Sequence, residues 1–296
     1  MRVTNQMMAQ TVLNNLYAAQ RRLMKAQDQL SSLQVVSRPS DDPVIAARVL
    51  NLNTVMTQNE QYGRNIADAL SWVEMTEAAL GKVNDVLQRA RELAVYGASG
   101  TLEDTSRRAL AEEVGQLLDN AVELANTSLA GRYIFGGTRT DAPPFGYGAG
   151  GAIEYGGDEN RLFWEIAQGV VMEMSVDGKT AFLDSGVFSA LQVLRDDLLA
   201  GRAVEVGGGD LAALDKTIDN ILNLRAALGA RANRLQALQS QMEGEQVNYQ
   251  ALKSKLNDVD LAAAVTEYKM NENAYQAALS VGARIILPSL VEYLLR

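Results

Sequence analysis

The chain has 296 residues, 47% of them hydrophobic, with neither cysteine nor histidine; that is enough for one to three domains, and it excludes disulfides, thiolate or imidazole metal sites and Cys–His or Ser–His nucleophile pairs. A formal charge of -9 and a pI near 4.8 exclude strong non-specific binding to nucleic acid or anionic lipid. No stretch approaches the ~18 apolar residues that a membrane-spanning helix needs.

The first twenty residues contain no continuous apolar run, so they do not read as a cleaved Sec signal. They open a helix instead. Val12, Leu16, Ala19, Leu23, Ala26, Leu30 and Leu33 follow alternating steps of four and three, the spacing of a coiled-coil seam. Ser40, Asp41 and Asp42 then precede Pro43. Capping oxygens ahead of a proline predict a helix start. A metal or acid–base role for the two neighbouring carboxylates is disfavoured, because adjacent residues at a helix start point in different directions.

The next helix carries Ile66, Ala69, Val73, Thr76, Leu80, Val83, Leu87, Ala90 and Ala94 at the same spacing. Thr101 and Asp104 resemble a capping box before a third helix over 103–129, with Leu110, Val114, Leu117, Ala121, Leu124 and Ser128 on one face. Composition then changes. Half of the 24 glycines and all five phenylalanines lie between 131 and 188. Arg132–Gly136, Ala152–Tyr155, Leu162–Ile166 and Val170–Val176 read as short strands. Gly156-Gly157-Asp158 reads as a turn, and Asp177-Gly178 as a hairpin turn between Glu173–Val176 and Lys179–Phe182. Gly207-Gly208-Gly209-Asp210 reads as a loop with an N-cap.

A long helix follows. Leu214, Ile221, Leu228, Leu235, Met242, Tyr249 and Leu256 recur at a spacing of seven. The companion positions are mixed, since Thr217, Arg231 and Glu245 interrupt the apolar set. At 1.5 Å per residue 214–256 would be ~65 Å long, against a radius of gyration of ~19 Å for a compact chain of this size. After a slip in register, Leu261, Val265, Tyr268, Tyr275, Leu279 and Ile286 resume the seam. The fold class is therefore mainly α: an elongated rod of long antiparallel, coiled-coil-like helices with a small β-rich insertion at its distal end. Residues 45–130 and 190–255 read as an intramolecular bundle. The two terminal seams read as pairing with each other: Arg2, Arg21, Arg22 and Lys25 stand against Asp28 alone in 1–35, while acids exceed bases in 258–296. Apolar burial would supply most of that affinity.

No constellation carries convincing chemistry. Gly178-Lys179-Thr180 lacks the upstream glycine of a phosphate-binding loop. Asn126-Thr127-Ser128 matches a glycosylation acceptor by three residues only. A carboxylate hydrolase in the insertion would have to use Glu154, Asp158 or Glu165. Catalytic, cofactor and metal sites are all expected to be absent.

Several segments together carry a resemblance. SRPSDDPVIAARVLNL at 37–52, RELAVYGAS at 91–99, NTSLAGRYIFGG at 126–137 and YQAALSVGARIILPSLVEYLLR at 275–296 resemble the flagellin superfamily, and RPSDDP and LPSL point within it to the hook-associated protein 3 branch. The final Tyr-Leu-Leu-Arg is also flagellin-like. The resemblance implies an extracellular structural subunit of the bacterial flagellum, exported unfolded by the flagellar type III apparatus without a cleaved signal. It implies an inner-tube domain built from 1–45 and 255–296, a rod from 46–132 and 186–254, and an outward insertion at 133–185. Its implied partners are hook-associated protein 1, flagellin, copies of itself in a ring, and an export chaperone. The terminal helices would stay largely unfolded until assembly. Assembly residues would be Val12, Leu16, Leu23, Leu30 and Leu33, with Leu261, Val265, Tyr268, Tyr275, Leu279 and Ile286. The rival readings are a flagellin filament subunit and a cytoplasmic helical scaffold or signalling protein.

Overall fold

The computed structural model describes the backbone of residues 2–100, 102–148 and 151–294, and the side chains of 7–100, 102–148 and 151–283. Three helices come first: α1 (Arg2–Ser32), α2 (Pro43–Gly97) and α3 (Asp104–Ala125). Three antiparallel hairpins follow: β1 (Ser128–Leu129) with β2 (Arg132–Tyr133), β3 (Phe145–Tyr147) with β4 (Ile153–Tyr155), and β5 (Phe163–Ala167) with β6 (Val170–Glu173). The chain ends with α4 (Val187–Ala200), the single turn α5 (Ala203–Glu205), α6 (Leu211–Asn257) and α7 (Leu261–Leu294). The architecture is mainly helical, with a small β insertion. Contacts divide it into a terminal unit, Met1–Gln58 with Glu245–Arg296, and a central unit, Asn59–Gly244.

The central unit is built on the heptad seams. Ile66, Ala69, Val73, Thr76, Leu80, Val83, Leu87, Ala90 and Ala94 on α2 are all 0% exposed. Leu214, Ile221, Leu228 and Leu235 on α6 are buried with them. The two helices run antiparallel, as the cross-links between them require. Arg91 meets Asp215 at 2.6 Å, Arg225 meets Glu77 at 2.7 Å, and the Asn59 side chain donates to the Met242 carbonyl at 2.9 Å. Helices α3 and α4 pack on each other and complete the core with Ala111, Val114, Leu118, Leu191, Leu194 and Leu198. The polar interruptions of the α6 seam are accommodated. Thr217 is buried with its hydroxyl donating to the Ala213 carbonyl at 2.8 Å, and half-buried Arg231 lies 3.5 Å from Glu173 on β6.

The insertion packs around rings. Phe135, Phe145, Phe182 and Phe188 touch one another, with Tyr155 against Phe145 at 5.1 Å between centroids. Asn126 joins α3 to this cluster. Its side chain donates to the Phe145 carbonyl and accepts from the Phe145 N–H, both at 2.9 Å, imitating a strand partner. Both the nitrogen and the oxygen of the side-chain amide in the three-residue glycosylation match are thereby used internally.

Four local expectations are corrected. Helix α3 stops at Ala125, and Ser128 begins a hairpin whose turn, Ala130-Gly131, has positive φ at both residues (50° and 81°). The conformation twists the right way for a tight hairpin, which overrides the helical period. Asp177-Gly178 is not a hairpin turn. The Asp177 carboxylate instead accepts from the Thr180 N–H at 2.8 Å and its hydroxyl at 2.9 Å, starting a π-helical turn, Lys179–Asp184. The neighbouring hairpin turns at Gly169, φ +70°. Gly207-Gly208-Gly209-Asp210 is not a loop but part of a π-helical turn, Val206–Asp210, continuous with α6. At α3, Thr101 lies outside the described residues; the N-cap is Glu103, which makes no side-chain capping bond.

Candidate assembly surface

In the terminal unit α1 and α7 pack antiparallel. Gly282 sits against Val12, where an added Cβ would lie 3.2 Å from Val12 Cγ1. At the other end of the seam the Val259 N–H donates to the Leu33 carbonyl at 3.1 Å. Between these ends the contact face of α7 is Ala264, Tyr268, Asn271, Tyr275, Ala278 and Gly282, again in steps of four and three. Small residues at its ends let the backbones approach closely.

The register slip between 256 and 261 is a physical break. Asn257 ends α6 and is 2% exposed. Its backbone carbonyl accepts from the Val35 N–H at 2.7 Å, and its side-chain oxygen from the Val36 N–H at 3.0 Å. Gln34 pairs with Asp258 as an isolated antiparallel bridge. Asp260 then caps α7, accepting from the N–H groups of Ala262 and Ala263 at 2.9 and 3.2 Å. Residues 33–36 therefore strap the α6–α7 connection. The sequence reading did not single out Asn257; the run Asn-Asp-Val-Asp between two heptad helices was the available signal.

The named seam residues separate into two sets. Val12, Leu16, Leu23 and Leu30 on α1 are half-buried and flank Ala19 and Ala26, which are buried. Tyr268 and Tyr275 are half-buried on α7. Leu261, Val265 and Leu279 point to solvent, at 55%, 48% and 44% exposure. Leu33 is also exposed, because α1 has ended at Ser32 and Leu33 adopts a left-handed φ of 59°. The side chain of Ile286 lies outside the described residues. Of the capping group, Asp42 Oδ1 accepts from the Val44 and Ile45 N–H groups at 2.9 and 3.0 Å, with Pro43 as the first helical residue. Asp41 closes the preceding turn by accepting from the Arg38 N–H at 3.1 Å, and Ser40 is exposed in that turn.

This unit leaves much apolar surface open. Met7, Met8, Tyr17 and Met24 on α1 are more than half exposed, as are Met270 and Val281 on α7. Among its described residues, the hydrophobic side chains that reach full burial are Ala19, Ala26, Val36 and Ala264. Among the described residues no ion pair joins α1 to α7: Lys269 meets Glu272 on its own helix at 2.8 Å, and Asp28 meets Arg38 at 3.6 Å in an exposed pair. Arg21, Arg22 and Lys25 remain solvated.

The carboxylates considered for hydrolysis hold local structure. The Asp158 carboxylate accepts from the Thr138 N–H at 2.7 Å and from the Thr138 hydroxyl, which holds its pKa below the usual range. Glu165 accepts from the Gly169 N–H at 3.1 Å, and Glu154 is exposed on β4.

Comparison with known proteins gives these features a lineage. Residues 3–140 match the bacterial flagellin N-terminal helical region, and residues 211–294 the C-terminal helical region. The flagellar hook-associated protein 3 of Salmonella typhimurium is 31% identical over 94% of this chain and 95% of its own. That of Escherichia coli is 32% identical over the same shares. The crystal structure of Bacillus cereus FlgL, 24% identical, shares the fold with a TM-score of 0.61 over 69% of this chain and 99% of that one. The hydrolase and cytoplasmic-scaffold readings fall with this match: the chain belongs to the bacterial flagellin family, whose members are structural proteins without catalytic function.

Proposed function

We propose that the chain is a subunit of the hook–filament junction, seated between hook-associated protein 1 and flagellin and joined to copies of itself in a ring. The full-length similarity to hook-associated protein 3 supports that place. The observation that carries the mechanism is the terminal unit, where among the described residues the fully buried hydrophobic side chains are Ala19, Ala26, Val36 and Ala264 and several large apolar ones, Met7, Tyr17 and Met270 among them, stay exposed. A monomer with that surface gains from every neighbour that covers it. On this reading 1–45 and 255–296 form the inner-tube domain, 46–132 and 186–254 the rod, and 133–185 the outward insertion. The terminal helices gain full order only on assembly, because little burial offsets their ordering entropy beforehand. Export is through the flagellar type III apparatus, with a chaperone covering the C-terminal helices.

Polar replacement of Leu23 and Leu30 tests this. The central unit should keep its thermal transition while incorporation onto hook ends is lost, and protease should trim the free monomer near 45 and 255. Normal incorporation would remove those residues from the interface. A second reading, flagellin filament subunit, has the family match behind it. Unlimited growth of this chain on seeds would favour it over a junction of fixed size.

A further inference from the structure

The corner between α4 and α6 is held in an unusual way. Helix α4 ends at Gly201, φ +71°, whose N–H donates to the Leu198 carbonyl at 3.3 Å, while the Arg202 N–H donates to the Asp197 carbonyl at 3.0 Å. The chain makes the turn α5 and enters the π-helical turn Val206–Asp210, with sequence Val-Gly-Gly-Gly-Asp. Glycine is a poor helix former, and π-helical turns are rare. Nothing packs where side chains would project from Gly208 or Gly209. Gly207 packs on Ala98, where an added Cβ would lie 3.0 Å from the Ala98 Cβ, and beyond that contact the turn is anchored at its two ends, Val206 at 1% exposure and Asp210 at 6%.

Asp210 is the informative end. Its carboxyl lies in hydrogen-bonding contact with that of Asp197 on α4, which is also 6% exposed. The Arg202 guanidinium reaches Asp197. Asp210 Oδ2 has no other donor to accept from. Two carboxylates in contact and out of water, with one guanidinium beside them, do not both carry charge. A proton on one of them turns the contact into a hydrogen bond. We propose that the Asp210 carboxyl holds a proton that it donates to Asp197, and that this proton latches the triple-glycine turn, so that its loss at rising pH opens the start of α6.

The surrounding charges favour that assignment. Glu205 on α5 adds to the negative field, and Arg202 is the cation facing the pair. Arg107 of α3, beside Gly201, is bonded to the Leu102 carbonyl at 2.7 Å and to Asp104. Arg91 of α2 is taken by Asp215. Asp184 and Lys216 line the open cleft next to Asp210. Burial first, then the Asp197 charge and hydrogen bond, push the Asp210 carboxyl from 3.8 up to about 6. A group whose folded pKa is raised binds the proton more tightly when folded. The latch is thus closed at acidic pH and weakens as pH rises through about 6.

Hydrogen exchange of the full chain tests this, corrected for intrinsic rates and read on peptides spanning 203–211. Protection should fall between about pH 5 and about pH 8 by up to about tenfold, the part of the shift from 3.8 to about 6 that lies above pH 5. Asp210→Asn keeps a donor toward Asp197 without titrating, and should stay protected at both values. Equal wild-type protection at both, or a wild-type response in Asp210→Asn, overturns the proposal. Should that variant not fold, carboxyl carbon NMR of the wild type decides: an ordinary aspartate titration at Asp210 also overturns it.

Discussion

Replacing Leu261, Val265 and Leu279 together with serine removes apolar surface that the chain itself leaves uncovered, at 55%, 48% and 44% exposure. Burying a whole aliphatic side chain contributes about 1.5–3 kcal/mol. With about half of each still open, neighbours that covered all three would gain ~2–4 kcal/mol. At about 1.4 kcal/mol per factor of ten, that raises the critical concentration for incorporation by ~30- to ~1,000-fold. The isolated chain should lose almost nothing, since none of the three is buried within it. Seeded incorporation onto hook ends measures the first quantity and calorimetry of the monomer the second. Val204→Ser is the control, a side chain 84% exposed in the central unit and remote in sequence from α7. An unchanged critical concentration in the triple variant refutes the assignment of this face to neighbours. An equal loss in the control would show that any exposed apolar residue matters, and the seam would have no special role.

Two further substitutions probe the insertion. A Cβ at Gly178 would lie 2.7 Å from the Phe135 carbonyl oxygen and 2.8 Å from the rings of Phe145 and Tyr155, so Gly178→Ala should destabilise the central unit by about 1–3 kcal/mol, read as an earlier urea midpoint at unchanged slope. Asn126→Ala strands the N–H and carbonyl of buried Phe145; at about 1–3 kcal/mol per unsatisfied group it should cost ~2–6 kcal/mol by urea unfolding, and a loss well under 1 kcal/mol would show that water replaces the side chain.

The two halves of the central unit were unequally legible, for a physical reason. A long helix in a bundle repeats the same packing every turn, so each turn of α2 restates the period. Every seam position on α2 is buried, and Leu214 to Leu235 on α6 face it at the expected spacing. The insertion has no repeat. Asp177-Gly178 carries a hairpin signature, yet Asp177 caps a helical turn and Gly178 is there because backbone and two rings leave no room for a Cβ. The triple glycine has the composition of a loop but is held as a helical turn by Gly207 against Ala98 and by Asp210 against Asp197, residues it meets only through the fold. Local composition does not encode which distant group will arrive.

The terminal seams relate to burial in a different and more useful way. Periodicity records all the burial that a helix experiences, whether its partner is in the same chain or another. In the central unit the α2 seam read from spacing coincides with the residues the chain buries. In the terminal unit the α1 seam lies on the packed face up to Leu30, while the α7 seam departs from it at three positions. Spacing marks Leu261, Val265, Tyr268, Tyr275 and Leu279; the chain packs α7 on Ala264, Tyr268, Tyr275 and Gly282 and leaves Leu261, Val265 and Leu279 outside. Two helices can cover only one stripe of each other. An apolar repeat wider than that stripe has no use in a solitary molecule and adds a solubility penalty. The mismatch between periodic and buried positions therefore measures how much of each helix a neighbour would cover. It is large on α7 and absent on the α2 seam, which is the distribution expected if assembly runs through the ends of the chain and leaves the centre to fold alone.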